Sequence, residues 1–339
     1  MTAFSARHGV PVTYGHRLLD GLGDKLGSYV VVTQPEPWEL IGPILGNAPR
    51  DVVMAEDLSP TALDSLAHSV SADTSAILGI GGGTAMDVAK WTGWRRGIPL
   101  HLAPTLPSVN ACFTRMTALR DGGKVRYEGD AVPEMVHVDL SVLQAAPREF
   151  LSAGIGDVLS CHTALADWRL AVAAGYDPPW QDEAAGASLH YIDGLAQAAA
   201  GVRAGSDEGI IALMELHREI GWRCNELGHA RFEEGSEHFF AYCFEHVTGR
   251  TILHGELVSV GVLIMSSLSG KDPERARRIV ADAGTRHHPD TLGITWDEID
   301  ATLMALPAFV HDGDYWYSYA NELVIDDQAL GVAHAALEF

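Results

Sequence analysis

Apolar and polar positions change rhythm partway along the chain. Up to about residue 150, short β-branched runs alternate with helical stretches. The runs "SYVVVT" (28–33), "DVVMA" (51–55), "SAILGI" (75–80) and "PLHLAPT" (99–105) read as strands. Between them, "PWELIGPIL", "SPTALDSLAHSV" and "TAMDVAKWTGWRRG" read as helices, the second with Ser59 as N-cap and Pro60 at its first helical position. This βαβα order predicts a parallel, doubly wound sheet. "KVRYEG" and "MVHVDL" predict a later β pair. From Leu151 the pattern becomes long and Ala-rich, with helices expected over 152–174, 182–204, 206–228 and 234–247. The expectation is an α/β N-terminal doubly wound nucleotide-binding domain over 1–150 and an all-α C-terminal domain over 151–339, with the boundary in "APREFLSAGIGD". A cleft between two such domains is a common ligand site.

Composition narrows the function classes. The chain has 339 residues, 47% of them apolar, which suffices for a large core and two domains. With 23 basic and 45 acidic residues its net charge is −22, which argues against nucleic acid and anionic membranes as partners. Cys112, Cys161, Cys224 and Cys243 form no close pair, so a zinc ribbon, a redox CxxC and a disulfide framework are not expected. No apolar run reaches transmembrane length and no signal-like segment opens the sequence, so a cytoplasmic protein is expected.

The run "ILGIGGGTAMDVAK" places Gly81, Gly82 and Gly83 between a strand and a helix. Glycines there let backbone N–H groups approach a phosphate, and a helix N-terminus favours its charge. The Rossmann fingerprint fails, because Thr84 stands where its last glycine belongs, and no GK[ST] of a Walker loop follows. The turn also falls in the third βα unit read from the pattern, not the first. It predicts a phosphate-bearing cofactor.

His238, His246 and His254 recur every eight residues. On one helix, residues eight apart lie about 12 Å apart along the axis, too far to share a metal ion. His238 and His246 are therefore separate if "SEHFFAYCFEHV" is one helix. Gly249 ends that helix, and the extended run after it is long enough to bring His254 back level with His238. The pair His238 and His254 then either shares an ion or forms two ordinary part-buried histidines. Each has a carboxylate next to it in sequence, Glu237 and Glu256.

The motifs "GGGTAMDVAK", "APTLPS", "VDLSVLQAAPREFLSAGIGDVLS…ADW", "GSEHFFAY" and "LHGELVSVG", in this order, resemble the metal-dependent polyol dehydrogenases. That family is related to glycerol dehydrogenase and glycerol-1-phosphate dehydrogenase, within the dehydroquinate synthase-like superfamily. The resemblance covers most of the chain, and Val138–Trp168 looks most like glycerol-1-phosphate dehydrogenases. It implies a single Zn²⁺ or Fe²⁺ in the cleft, held by Asp157, His238 and His254, with His246 outside the site. It implies that Gly81, Gly82, Gly83, Thr84 and Asp87 meet the dinucleotide, as do Thr105 to Ser108 and Thr114. A homo-oligomer is implied as well. The residue after the first strand is Gln34, where related glycerol dehydrogenases often carry aspartate, and the acidic run "TQPEPWE" leads to an expected preference for NAD(H) over NADP(H).

Two positions depart from the family pattern. Asn110 replaces an aspartate, and Tyr242 replaces a second histidine on the helix that carries His238. Both family positions contact substrate, so Asn110 and Tyr242 are expected to orient a polyol, cyclitol or other ketose-like small molecule, and glycerol 1-phosphate is expected to be a poor substrate. The alternatives are a glycerol-1-phosphate dehydrogenase proper, or a sugar-phosphate cyclase like dehydroquinate synthase. A cyclase needs basic residues for substrate phosphate, for which Lys124, Arg126 and Arg231 are candidates.

Overall fold

The computed structural model describes residues 10–122 and 124–339. By internal contacts the chain divides into two units. One runs to Leu151 and takes in His217–Glu226; the other comprises Ser152–Leu216 and Leu227–Phe339.

Eight strands appear among the described residues: β1 (Val12–Gly15), β2 (Tyr29–Thr33), β3 (Asp51–Met54), β4 (Ala76–Gly81), β5 (Leu100–Pro104), β6 (Thr117–Asp121), β7 (Lys124–Glu128) and β8 (Met135–Asp139). Six of them form a parallel sheet in the order β3-β2-β4-β5-β8-β1. The inner strands β2 and β4 are buried along their whole length. A parallel sheet covered on both faces requires this, and it explains their unbroken apolar runs. Tyr29, Val31, Leu78 and Ile80 pack with Leu19, Leu22, Ile41 and Leu45 in one core cluster.

Strand order fixes where a ligand fits. The connection leaving β2 runs through helix Pro35–Ile41 to β3 on one side, and the connection leaving β4 runs through helix Gly83–Arg96 to β5 on the other. The C-terminal ends of β2 and β4 therefore flank the point where the winding reverses, the usual ligand crevice of such sheets.

The pattern reading needs three corrections in this unit. β1 escaped it, because "VTYG" is short and only part-buried. The glycine turn accordingly follows the fourth strand, not the third. The expected pairing of "KVRYEG" with "MVHVDL" does not occur. β7 pairs antiparallel with β6, and β8 joins the main sheet between β5 and β1. β7 is part-exposed to exposed along its length whereas β8 is almost wholly buried, which suits a surface hairpin and a sheet interior respectively.

The second unit is helical. The expected helix 152–174 is broken into a 3₁₀ turn at Ser152–Gly154, helix Ile155–Leu159 and helix Cys161–Ala173, in a stretch that carries Gly154 and Gly156. Helices Asp182–Ala204, Ser236–Thr248, His254–Ser269, Pro273–Ala283, Trp296–Gly313 and Asp327–Leu337 follow. His254–Ser269 is buried on all sides from Gly255 to Ser266, as an all-round apolar helix must be. Helix Asp207–Leu227 does not fall wholly in the second unit. Its residues 217–226 belong with the first unit, where a Cβ on Gly221 would lie 3.0 Å from that of Phe113 and Asn225 donates to the Phe113 carbonyl at 3.3 Å.

Candidate metal centre and glycine turn

At the end of β4 the backbone of Gly81 takes φ +146°, a conformation that side-chain-bearing residues rarely adopt. Gly82 precedes helix Gly83–Arg96 and supplies no side-chain cap. A methyl built on Gly82 would meet nothing within 4 Å. Uncapped N–H groups at the start of a four-turn helix, beside an open backbone, suit a phosphate. Gln34, at the end of β2, places its Oε1 3.4 Å from the point where a Gly81 side chain would begin. Thr105 donates its N–H to the Gly81 carbonyl at 3.0 Å, which fastens the loop after β5 to the same turn.

Asp87 and Thr114 are tied to one another by a residue the sequence reading passed over. Lys90 is fully buried. Its Nζ lies 2.8 Å from Asp87 Oδ1 and donates to Thr114 Oγ1 at 3.1 Å and to the Met116 carbonyl at 2.6 Å. The i,i+3 spacing of Asp87 and Lys90 on a helix was the available signal. Asn110 opens a 3₁₀ turn, Asn110–Cys112, in the same unit.

In the second unit, Asp157, His238 and His254 converge, with one candidate ligand atom from each inside a 4.8 Å span. Nε2 of His254 lies 3.5 Å from Asp157 Oδ1, and Nε2 of His238 lies 3.9 Å from the same atom. Bonds of about 2.0–2.2 Å in tetrahedral directions put ligand atoms about 3.3–3.6 Å apart, so the spacing fits one divalent ion with little adjustment. Three protein ligands would leave a coordination position for substrate. His246, one face and two turns away, is exposed and packs its ring on Phe309.

Close backbone approach builds this cluster. A Cβ on Gly156 would fall 1.8 Å from the carbonyl oxygen of Gly255, so Asp157 and His254, the neighbours of those two glycines, are pressed together. A Cβ on Gly261 would fall 2.5 Å from the carbonyl of Glu237, which sets helix His254–Ser269 against the first turn of Ser236–Thr248, where His238 sits. Gly249 ends that helix at φ +65°. Arg250 then anchors the return by donating to both Glu298 carboxylate oxygens at 2.7 and 2.9 Å and to the Gly293 carbonyl at 2.6 Å.

The two neighbouring carboxylates behave differently. Glu237 is fully buried and accepts from His238 Nδ1 at 3.0 Å, from Gly235 N–H at 2.7 Å and from Thr163 Oγ1 at 2.6 Å. Because a carboxylate only accepts, Nδ1 carries the hydrogen and Nε2 is left to bind an ion. Glu256 forms a two-pronged pair with Arg286 at 2.7 and 2.8 Å. Burial disfavours the charged form of His238, but the Glu237 hydrogen bond and the charges of Glu237, Asp157 and Glu234 outweigh it and raise its pKa to about 9. The same carboxylates that favour a proton on this ring would favour a metal cation in its place.

Two further interactions were not foreseen. Tyr242 donates to the buried carboxylate of Glu234 at 2.9 Å, with its ring stacked 5.9 Å from that of His254. Asp167 accepts from the N–H groups of Ser236 and Tyr319 at 2.6 and 2.8 Å; burial, then the charge of Glu237, raises its pKa to about 6. The cyclase candidates fall in different units. Arg231 is fully buried and donates from Nη2 to the carbonyls of Tyr317 and Asp167, and Lys124 and Arg126 lie on β7.

Comparison with known proteins agrees with this architecture. A profile described as iron-containing alcohol dehydrogenase matches residues 46–147. The chain is 32% identical to a glycerol-1-phosphate dehydrogenase [NAD(P)+] of Aeropyrum pernix over 73% of its own length and 68% of the relative's. It is 31% identical to the enzyme of that name from Thermofilum pendens over 81% of each. Among solved structures, a glycerol dehydrogenase from Schizosaccharomyces pombe matches with a TM-score of 0.69 at 20% identity, over 96% of this chain and 88% of the other. A probable glycerol dehydrogenase from Sinorhizobium meliloti 1021 matches with a TM-score of 0.70 at 22% identity over 96% of both. No helix among the described residues is long and apolar enough to cross a membrane. The chain is an enzyme and belongs to the iron-containing alcohol dehydrogenase family, in the group that includes the glycerol-1-phosphate dehydrogenases.

Proposed function

We propose that the protein is a metal-dependent oxidoreductase that moves a hydride between NAD(P)(H) and a secondary alcohol or ketone of a polyol-like small molecule. The observation that carries this reading is the convergence of Asp157, His238 and His254 on one ion-sized space, with Glu237 fixing the tautomer of His238. Zn²⁺ and Fe²⁺ both accept this ligand set. When bound, the metal supplies Lewis acidity toward a substrate oxygen, and the nicotinamide supplies the hydride acceptor.

The chain's own residues do the rest. Asp157 supplies the one charged ligand, and the two imidazoles are neutral donors. Gly81, Gly82, Gly83 and Thr84 offer backbone N–H groups to the dinucleotide phosphates. Gln34 faces its ribose, and Thr105, Ser108 and Thr114 line it, with Lys90 holding Asp87 and Thr114 in place. Asn110 and Tyr242 orient substrate hydroxyls. A homo-oligomer working on a small molecule completes the reading. A glycerol-1-phosphate dehydrogenase proper is the second reading, favoured by the names of the relatives.

The test is metal content and activity together. His254→Ala should lose the metal and the NADH-dependent reduction of ketones while keeping its far-ultraviolet circular dichroism. His246→Ala should keep both. Stoichiometric metal in the His254 variant, by elemental analysis, overturns the assignment. A screen of ketones and of dihydroxyacetone phosphate then separates the two readings. Efficient turnover of dihydroxyacetone phosphate, about 10⁴ M⁻¹s⁻¹ or above, decides for the second.

A further inference from the structure

Beside the three metal-ligand candidates, Tyr242 is paired with Glu234, a residue to which the family resemblance assigns no role. The ring of Tyr242 is stacked 5.9 Å from His254 at an interplanar angle of 15°, and its centroid is 6.0 Å from that of His238. Its hydroxyl donates to Glu234 Oε1 at 2.9 Å. Glu234 is 6% exposed and lies eight residues before Tyr242, in the turn that leads into the helix.

We propose that Glu234, acting through Tyr242, makes this side of the metal centre a hydrogen-bond-accepting surface that selects an unphosphorylated polyhydroxy substrate and rejects its phosphate ester. This rests on the metal-dependent polyol reading above. The reasoning is one of donors and acceptors. A tyrosine hydroxyl has a single proton, and here Glu234 takes it. What the pair offers to a ligand is therefore oxygen lone pairs. A polyol hydroxyl donates to such a surface. A phosphate dianion brings acceptors only, and two negative charges besides.

Charge points the same way. Asp157, Glu234 and Glu237 are three buried carboxylates around the ligand cluster. A cation near Glu234 is Arg231, which is fully buried; its Nη2 donates to the carbonyls of Tyr317 and Asp167, while its Nε and Nη1 have no hydrogen-bond partner among the described residues. One divalent ion plus one guanidinium would just balance these three carboxylates, so the cluster they form offers a phosphate no net positive charge. Specificity achieved by a repulsive element rather than by an added attraction is a common device.

The test uses the full chain loaded with Co²⁺, whose visible absorption responds to a ligand at the metal. Glycerol and glycerol 1-phosphate are the probes. In the wild type, glycerol should half-saturate the spectral change at a concentration at least about tenfold below that of the phosphate ester. Glu234→Gln should narrow that ratio by about tenfold, because it removes the charge and keeps the shape. Tyr242→Phe should weaken glycerol severalfold without helping the phosphate, which guards against a Glu234 variant that folds poorly. Equal or tighter binding of the phosphate ester in the wild type, a ratio unmoved by Glu234→Gln, or silence toward both probes in a cobalt-loaded protein overturns the proposal. A protein that takes up no cobalt by elemental analysis overturns the metal reading beneath it, and this proposal falls with it.

Discussion

Glu237 accepts the Nδ1 hydrogen of His238 at 3.0 Å, and the two residues are adjacent on the first turn of one helix. Thr163 and Gly235 donate to the same carboxylate, so it is held from three directions. A carboxylate behind an imidazole fixes the ring and raises its basicity as a ligand. Glu237→Gln keeps the shape and removes the charge. Metal affinity should fall at least about tenfold. Competition against a chelator of known affinity measures this, and an unchanged affinity would remove Glu237 from the metal site.

A second prediction follows from the contact of Gly156 with Gly255. The Cβ of Gly156→Ala would lie 1.8 Å from a carbonyl oxygen and 2.7 Å from Ser259 Oγ, so the backbone must move. Overpacking of this kind costs about 1–3 kcal/mol, and here it also separates Asp157 from His254. The variant should melt lower and bind metal poorly. Gly82→Ala makes the same chemical change with nothing within 4 Å and should melt like the wild type with its metal in place. Thermal unfolding of the two variants, with metal content, is the comparison. Equal behaviour would mean that the Gly156–Gly255 approach does not position the ligands.

Much of the fold was legible because its signals are local. β2 and β4 are continuous apolar runs between punctuating residues, and Ser59 and Pro60 mark a helix start that the structure reproduces, with Ser59 Oγ accepting from Ala62 N–H. The fold's misses have a different character. β1 has no pattern of its own and exists because β8 offers it an edge, and the partner of β7 depends on a hairpin the periodicity does not reveal. The site divides in the same way. The eight-residue histidine spacing and the Gly249 stop allowed His238 and His254 to come together, but Asp157 entered only through family resemblance. The roles of Glu237, Glu234 and Lys90 depend on partners between eight and 74 positions away in sequence or across a turn, and adjacency misled for Glu256, whose partner is Arg286.

His101 and His137 face each other on neighbouring strands with Nδ1 and Nε2 3.2 Å apart, so one ring donates to the other. Burial, then the nearby charges of His101 and Lys25, lowers the pKa of His137 to about 4. Its ordinary value is about 6.5. The folded protein therefore refuses a proton that the unfolded chain accepts. Stability is complete above pH 6.5 and is lost as pH falls toward 4, by up to about 1.4 kcal/mol per pH unit. Urea unfolding of chelator-treated protein at pH 7 and pH 5 should show a larger acid loss in the wild type than in His137→Gln, by about 1–2 kcal/mol. Parallel losses in the two proteins would place the acid sensitivity elsewhere.

Gln34 is expected to set the choice between NAD and NADP. It stands at the C-terminal end of β2, beside the Gly81 turn, where a carboxylate in such folds bonds the ribose 2′-OH and repels the 2′-phosphate of NADP. An amide can make the hydrogen bond but has no charge with which to repel. The helix that follows carries Glu36 in its first turn and Glu39 beyond it, and no basic residue stands in the run from Thr33 to Leu40. Attraction for the phosphate is missing there and the surroundings are acidic, so a modest preference for NAD(H) is expected, about one to two powers of ten in kcat/KM, or about 1.4–2.8 kcal/mol. Gln34→Asp should widen it by adding the missing charge. Gln34→Arg should invert it. Initial rates with NADH and NADPH on all three proteins decide the matter: a clear NADPH preference in the wild type would mean that a basic group from another part of the chain reaches the ribose.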